Sequence, residues 1–221
     1  MIVASFFAPR PEHPRWRDYL PSLRLLQASC DRLGLTHVII GDAPVAGLDV
    51  LQCSGLPGDL MRAIIEGQRR AIECLDDDLL LVGADCVIVR DPRGAMDGAD
   101  MAVTIGDFAD CALNTGAIWI SRGARDVAAD MWGRALARMG AGWGDDQLAI
   151  AAEVAPLQLP PAVAERHGLR VRFLDVDPWN LAPDHVVHDV SHAAVLHFRG
   201  RRKDWSAEWC ARFLGLAPCG A

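Results

Sequence analysis

The chain has 221 residues and a formal net charge of −7 at pH 7; 51% of the residues are hydrophobic and 23% are charged. This length and composition suit one globular domain, covering residues 1–221, with a sizeable core. The negative charge argues against nucleic-acid partners, which bind basic faces. No apolar run reaches the length of a membrane span, and MIVASFF lacks the basic lead and cleavage site of a signal peptide. Seven scattered cysteines without a C-x-x-C pair predict reduced core thiols in a cytoplasmic protein.

Predicted strands and helices alternate along the chain, as the spacing of the apolar residues indicates. A loop with three prolines separates the first strand from the first helix. In the first half of the chain the predicted elements are the strand MIVASFF, a helix from Tyr19 to Leu33 that ends at Gly34, the strand THVIIGD, a helix over 59–75 and a strand over Leu79–Val82. In the second half they are the strands MAVTI and ALNTGAIWI, helices over 122–139 and 145–153, the strands LRVRFLDV and AAVLHF, and a final helix in DWSAEWCARFLGL.

This order of elements predicts an α/β fold, an α/β/α sandwich around a central mixed, mainly parallel sheet. In such sheets the ligand crevice lies beyond the carboxyl ends of the strands. No G-x-G-x-x-G follows the first strand, and the sequence has no phosphate-binding P-loop. The ordinary dinucleotide-binding and P-loop classes are therefore excluded.

Asp85 is a lone carboxylate in the apolar stretch LLLVGADCVIV and directly follows the strand Leu79–Val82. A buried carboxylate without a partner is costly, so Asp85 must be paired, hydrogen-bonded or bound to a cation. Its place after the strand predicts that it lies at the ligand crevice.

Five short stretches, Asp85 among them, are polar where an ordinary core element would be apolar. The other four are Asn114 with Gly116, Asp145 to Gln147, Trp179 with Asn180, and His197 with Gly200 and Lys203. Taken singly, each has a structural explanation: acids at a helix start act as caps, an asparagine satisfies backbone groups, and a core histidine is hydrogen-bonded.

Taken together and in this order, the five stretches resemble the signature of the retaining glycosyltransferases of family 8 and their relatives with the GT-A fold. That signature is a strand ending in D-x-D, an F-N-[SA]-G strand, D-Q at a helix start, a W-N or F-N segment, and H-x-x-G-x-x-K followed by P-W. LNTGAIWI, DDQ, the WN of DVDPWNL and the HFRGRRK segment resemble the later motifs, and RWRDYLPSLRLLQAS is similar to the family's first helix. The resemblance covers nearly the whole chain and implies a single GT-A-like, Rossmann-like domain.

The resemblance implies a hexosyltransferase-like enzyme that moves a sugar, with retention, from a nucleotide-diphosphate donor such as a UDP-sugar. The acceptor, a saccharide, a lipid-linked glycan or another molecule, cannot be read from the sequence. A departing nucleoside diphosphate gains negative charge, which a divalent cation and a lysine neutralise. Asp85 and His197 are the implied ligands of Mn²⁺ or Mg²⁺, because a carboxylate oxygen and an imidazole nitrogen suit such an ion.

The resemblance also implies the remaining site residues. The catalytic candidates are Asp145, Asp146 and Gln147. The implied donor-binding residues are Tyr19, Arg62, Ala84, Asn114, Gly116, Gly200 and Lys203. Tyr19, or a residue of the loop before it, is implied to stack on the nucleotide base, and the alternative for Tyr19 is the first position of the helix's core stripe.

The sequence departs from the family pattern at two places. Gly83 stands where D-x-D has its first acid, and Asp204 replaces the proline before Trp205. Two hypotheses follow: an active, metal-dependent glycosyltransferase, or a catalytically degenerate module that binds a sugar nucleotide. A third hypothesis, a glycosyltransferase acting on modified DNA or another unusual polymer, is disfavoured by the acidic charge.

Two further clusters, three histidines and a basic run, do not predict a separate binding site. His185, His188 and His192 fit no zinc spacing and predict a solvated loop before the last strand. The basic run RGRRK is predicted to serve the donor phosphates, because it directly follows His197 and Phe198.

Overall fold

The computed structural model describes residues 1–8, 19–106, 112–140, 142 and 144–216. The predicted proline loop before the first helix, with its candidate for stacking on a base, lies outside these residues. The helices are α1 Tyr19–Arg32, α2 Leu60–Cys74, α3 Arg125–Arg138, α4 Asp145–Val154, α5 Val176–Trp179 and α6 Ser206–Leu214. The strands are β1 Ile2–Phe6, β2 Thr36–Gly41, β3 Val50–Gln52, β4 Leu79–Val82, β5 Cys86–Ile88, β6 Met101–Ile105, β7 Leu113–Ile120, β8 Ala162–Arg166, β9 Leu169–Asp175 and β10 Val195–His197.

Within the described part of the chain, eight strands form one sheet in the order β3-β2-β1-β4-β7-β6-β9-β8. Strands β3, β2, β1 and β4 pair in parallel, as do β6 and β9, whereas β7 and β8 run antiparallel to their neighbours. The predicted α/β sandwich with a mixed, mainly parallel sheet is therefore confirmed.

Residues of the central strands alternate between two apolar layers because successive side chains of a strand point to opposite faces. Leu79 and Leu81 of β4 face the layer formed with α2, α3 and α4, whereas Leu80 and Val82 face the layer beneath α1. Both faces of β4 are covered, which explains why this strand reads as a continuous apolar run.

Three short strands, β3, β5 and β8, were not predicted. They are 3 to 5 residues long, and their pairing partners hold them more than their own sequence does. Strand β10, predicted as one of the late strands, does not join the main sheet. It pairs antiparallel with β5 in a separate two-stranded sheet, with His197 opposite Cys86. The segment Arg122–Ala124, predicted as helix, is a 3₁₀ turn that leads into α3.

Strand β7 contains a bulge next to the carboxyl end of β4. Val103 of β6 pairs with Ile118, but the next residue, Thr104, pairs with Asn114, so residues 115–117 have no partner on β6. Bulges of this kind re-aim side chains beside functional sites.

A buried polar chain joins the sheet to α1. Nε2 of His37 lies 2.9 Å from Oγ of Ser5, and Nδ1 of His37 lies 3.0 Å from Oε1 of Gln27. Both Ser5 and His37 are buried. Burial lowers the pKa of His37 to about 4, so the imidazole is neutral in the folded protein at pH 7.

The buried histidine predicts a loss of stability in mild acid. Its folded pKa lies below the unfolded value of about 6.5, so its contribution is complete above pH 6.5 and is lost as the pH falls toward 4. Between pH 7.5 and pH 5 the free energy of unfolding should fall by about 2 kcal/mol more in the wild type than in His37→Gln. Urea unfolding at both pH values measures this, and equal losses would contradict the assignment.

The five cysteines in the described ranges are free thiols; four are buried, as predicted for core residues, but Cys74 is exposed. Among the helices of the described ranges, none combines the length and apolarity needed to cross a bilayer.

Candidate active site

A cleft of about 630 Å³ lies beyond the carboxyl ends of β1 and β4. Its walls come from both sides of the sheet: α1 and the 200–205 turn on one side, α2 and α4 on the other. The sequence-predicted residues that line it are Tyr19, Ala84, Asp85, Asn114, Gly116, Asp146, Gln147, His197, Gly200 and Lys203. The fold thus brings ten of the twelve predicted site residues to one cavity.

Asp85 is held by two cationic or polar groups. Its Oδ1 lies 3.3 Å from Nε2 of His197, and its Oδ2 lies 2.9 Å from Nζ of Lys203. The β5–β10 pairing creates this arrangement, because it sets His197 opposite Cys86 and lets the N–H of Phe198 donate to the carbonyl of Asp85. His197 and Lys203 are therefore the partners of this buried carboxylate.

The ionisation of Asp85 and Lys203 follows from this pairing. Burial by itself raises the pKa of Asp85, but the nearby His197 and Lys203 outweigh it and hold that pKa well below its usual range. Burial opposes the charge of Lys203, yet Asp85 and the Tyr19 hydroxyl raise its pKa. Both groups are therefore charged at pH 7.

Gly83 is explained by the position of the Asp85 carboxylate. A Cβ at Gly83 would lie 2.8 Å from Oδ1 of Asp85 and 3.6 Å from Nε2 of His197. The space that a first acidic side chain would need is taken by the pair of Asp85 and His197. In this arrangement an acidic side chain at position 83 would require the Asp85 carboxylate to move.

The pair formed by Asp85 and His197 fits a divalent cation. For an octahedral ion with ligands about 2.1 Å away, neighbouring ligand atoms lie about 3 Å apart, close to the 3.3 Å between Oδ1 and Nε2. Nδ1 of His197 is buried and has no hydrogen-bond partner among the described residues. Cys86 lies in the same group, but burial and the Asp85 charge raise its thiol pKa, so a protonated sulfur is a poor ligand for a hard ion.

Asn114 and Gly116 form the opposite wall on the bulged strand β7. The N–H of Gly116 donates to Oδ1 of Asn114 at 2.9 Å, so the amide nitrogen of Asn114 is the end left for the cleft. A Cβ at Gly116 would lie 2.4 Å from Nδ1 of His197. Glycine is therefore needed here for the histidine ring to reach Asp85.

The two adjacent acids at the start of α4 have different environments. Asp146 lines the cleft and accepts a long hydrogen bond of 3.5 Å from Oγ1 of Thr115. Burial raises the pKa of Asp146, although backbone N–H groups of the helix start and Thr115 oppose the shift. Gln147 also lines the cleft.

Asp145, a predicted catalytic candidate, does not line the main cleft. Its Oδ2 accepts a hydrogen bond of 2.9 Å from the N–H of Gly142, and it borders a smaller pocket beside Leu148. Because residues 145 and 146 point about 100° apart on a helix, only one of them faces the cleft. The structural explanation, a carboxylate that closes a turn at a helix start, fits Asp145.

Arg62 is the other predicted site residue that lies elsewhere. Its Nη1 donates to the carbonyl of Met139 at 3.0 Å, and its side chain does not line the cleft. Its neighbour Met61 faces the cleft instead. The helix period turns position 62 toward α3 in this structure, and contact of Arg62 with the donor stays a prediction.

Tyr19 and Lys203 meet at the α1 side of the cleft. Nζ of Lys203 lies 4.9 Å from the centroid of the Tyr19 ring, within range of a cation–π contact. Tyr19 is half-buried and packs beside the small cluster of Phe7 and Leu23, so it combines the core position with an exposed ring face. The sequence contains one tyrosine, one lysine and 21 arginines. Its single tyrosine and its single lysine are therefore the two residues that meet here.

One cleft residue, Gln68 of α2, was missed by the sequence analysis. It is 7% exposed and lines the cleft two turns beyond Leu60. A polar residue on the otherwise apolar face of Met61, Ile64 and Ile72 was the available signal.

The two remaining clusters lie in different places, and the role of the basic run at donor phosphates stays a prediction. Arg199, Arg201 and Arg202 of the basic run line the cleft beside Lys203. Among the described residues, the group suited to a metal ion is the one at Asp85 and not the histidines of residues 185–192.

Comparisons with known proteins agree with the fold. No model of a protein family matches the sequence, and none of the curated proteins matches it. A solved glycosyltransferase involved in glycosylation of the major capsid of PBCV-1 matches with a TM-score of 0.60 and 11% identity, over 95% of this chain and 99% of that chain. The glycosyltransferase GlyE of Streptococcus pneumoniae TIGR4 matches with a TM-score of 0.56 and 11% identity, over 94% of this chain and 60% of its own.

An active-site mutant of LgtC matches with a TM-score of 0.50 and 11% identity, over 90% of this chain and 88% of that chain. At these identities the likeness concerns the backbone. The chain therefore has the GT-A-like fold of these glycosyltransferases.

Proposed function

We propose that the protein is a glycosyltransferase that moves a sugar from a nucleoside-diphosphate donor, a UDP-sugar by resemblance, to an acceptor, with the assistance of Mn²⁺ or Mg²⁺. The observation that carries this proposal is the convergence of Asp85, His197 and Lys203 at the carboxyl edge of the sheet, opposite Asn114 and Asp146. A fold shared with glycosyltransferases supports it.

In this proposal each end of the cleft has a distinct task. Tyr19, on the α1 side, offers an aromatic face to the nucleoside. Lys203 and the three arginines of the basic run offer cations to the diphosphate. Asn114, Asp146 and Gln147, on the α4 side, offer polar groups to the sugar. When bound by Asp85 and His197, the metal would supply Lewis-acid stabilisation of the departing diphosphate.

Retention of configuration is part of the proposal on the strength of the family resemblance. Asp146 is the acid positioned to stabilise positive charge that develops on the sugar, since its carboxylate faces the cleft and Asp145 does not. Gln147, the next residue, contributes a neutral amide beside it.

The proposal is tested by mixing the protein with Mn²⁺ and a panel of nucleotide-sugars and measuring the release of nucleoside diphosphate, with and without saccharide acceptors. Calorimetry with UDP and Mn²⁺ provides an independent reading of the same site. Binding without turnover across the panel would favour the alternative, a catalytically degenerate sugar-nucleotide-binding module, which the glycine at position 83 supports. Absence of any nucleotide binding would contradict both functions.

Asp146→Asn is expected to lower the turnover number at least about 100-fold while the affinity for UDP stays within about twofold. The raised pKa of Asp146 places the acid limb of the pH–rate profile above the ordinary aspartate range, and activity falls as the pH drops through it. Asp145→Asn is the matched neighbouring variant and should retain far more activity. A turnover number for Asp146→Asn within threefold of the wild type would contradict the assignment.

A further inference from the structure

Gln68 is a buried side chain whose hydrogen-bonding groups are used on one end only. Nε1 of Trp132 on α3 donates to Oε1 of Gln68 at 2.9 Å. An indole nitrogen can only donate, so the amide oxygen must face Trp132 and the amide nitrogen must face away from it. Trp132 is itself fully buried, which fixes this orientation of the amide.

The amide nitrogen of Gln68 donates no hydrogen bond to a described residue, and it is not one of the fully buried atoms that lack a partner. It is therefore open to solvent, although the residue as a whole is only 7% exposed. A polar group that loses its water when a ligand fills the cleft is costly unless the ligand gives it a new hydrogen-bond partner. Gln68 lines the cleft, so the open side of the amide is the cleft itself.

The position of Gln68 on α2 defines which part of a donor it meets. Leu60, Met61, Ile64 and Gln68 form the cleft-facing stripe of the helix, and Gln68 lies about 12 Å along the axis from Leu60. Helix α2 packs against α3 and α4 on one face of the sheet, whereas Tyr19 lies on α1 across the sheet. Gln68 is therefore on the side of Asp146 and Gln147, away from the nucleoside end.

We infer that Gln68 is a specificity-determining residue that donates a hydrogen bond from its amide nitrogen to an oxygen of the transferred sugar. This inference rests on the proposed function. A sugar with a hydroxyl oxygen at the matching carbon is accepted. A sugar with an ammonium group at that carbon is rejected, because the N–H donors of the ammonium would face the N–H donors of the Gln68 amide in the filled cleft. Trp132 acts as a positioning residue, since it touches Gln68 and not the cleft.

The test compares the affinities of UDP and of the donor found active in the panel, for example UDP-glucose or UDP-galactose, by calorimetry with Gln68→Met. Methionine keeps the length and volume of glutamine but has no amide. The nucleotide-sugar affinity should fall about 5- to 10-fold, and the UDP affinity should stay within twofold. Donor analogues in which single sugar hydroxyls are removed identify the oxygen. The wild type should bind the analogue that lacks the contacted hydroxyl more weakly than the full donor. Gln68→Met should bind that analogue and the full donor equally well.

Trp132→Phe provides the second variant, because it keeps a core aromatic ring but releases the amide from its fixed orientation. Its nucleotide-sugar affinity should fall by less than that of Gln68→Met, and the double variant should fall no further than Gln68→Met alone. Circular dichroism and thermal melting establish that each variant is folded. Unchanged nucleotide-sugar affinity in folded Gln68→Met, with UDP still bound, would overturn the inference alone. Failure of the wild type to bind any nucleotide would overturn the proposed function with it.

Discussion

Asp85→Asn is expected to reduce the release of nucleoside diphosphate from a nucleotide-sugar at least about 1,000-fold. The substitution keeps the shape of the side chain but removes the charge that holds Nε2 of His197 and Nζ of Lys203. It also removes the oxygen ligand proposed for the cation, so Mn²⁺ binding measured by calorimetry should be lost in the same variant. The ammonium of Lys203 is left in a largely buried place without a counter-charge, so its pKa should fall.

Asp91→Asn is the matched control for this experiment, because Asp91 is exposed and pairs with Arg93 outside the cleft. It makes the same change of charge six residues away and should keep full activity. Thermal melting separates loss of the site from loss of the fold. More than a tenth of wild-type activity in folded Asp85→Asn would contradict the central role given to this carboxylate.

Lys203→Met is expected to change two affinities in opposite directions. In the ligand-free protein Nζ of Lys203 lies 2.9 Å from Oδ2 of Asp85, where it competes with a divalent cation for the same carboxylate. Removal of the lysine should therefore tighten the binding of Mn²⁺ alone, by about tenfold. The same variant should weaken the binding of UDP, by about 100-fold, because a charge-assisted contact to the diphosphate is lost.

This competition also predicts coupling in the wild type. If the diphosphate draws Lys203 away from Asp85, UDP should tighten Mn²⁺ binding, and Mn²⁺ should tighten UDP binding by the same factor. Electron paramagnetic resonance of free Mn²⁺ and calorimetry measure the two arms. Arg212→Met on the exposed side of α6 controls for net charge. Equal or weaker binding of Mn²⁺ alone by Lys203→Met would contradict the competition.

The composition of the chain makes this lysine directly observable. Because Lys203 is the one lysine in the sequence, reductive methylation with ¹³C labels its amine and the N-terminal amine, and the latter pairs with Asp77. The label keeps the positive charge, so its NMR resonance reports the contact with Asp85. The resonance of Lys203 should shift on addition of UDP, while that of the N-terminus stays in place.

The core strands and the edge of the sheet that holds the site could be predicted from the sequence. Continuous or alternating apolar runs define β1, β4, β6, β7 and β9, and the carboxyl ends of parallel strands meet where a ligand binds. The motif order then placed Asp85, Asn114, Asp146, His197 and Lys203 at this edge, and the cleft contains all five. The strands could be predicted because they depend on local pattern. The five side chains were implied by the family resemblance, and their roles stay predictions.

Three features of the site depended on tertiary contacts. Short strands β5 and β10 pair with each other, which brings His197 onto Asp85 across more than a hundred residues of chain. The helix start of α4 turns Asp146 into the cleft and Asp145 onto Gly142, although adjacent acids look alike in the sequence. Arg62 of α2 was implied by its resemblance to a family arginine, but packing turns it toward α3, whereas Gln68 lines the cleft.

The sequence by itself determined the α/β architecture and the edge of the sheet at which a ligand crevice lies, because hydrophobic periodicity and strand order are local properties. The family resemblance implied most of the side chains that meet there. Only the tertiary structure decided that Gly83 leaves room for the Asp85 carboxylate, that Lys203 occupies one oxygen of Asp85, and that Trp132 fixes the orientation of Gln68. Each of these depends on distances of a few ångströms between elements far apart in the chain, and short-range distances of this kind are set by packing and not by sequence pattern.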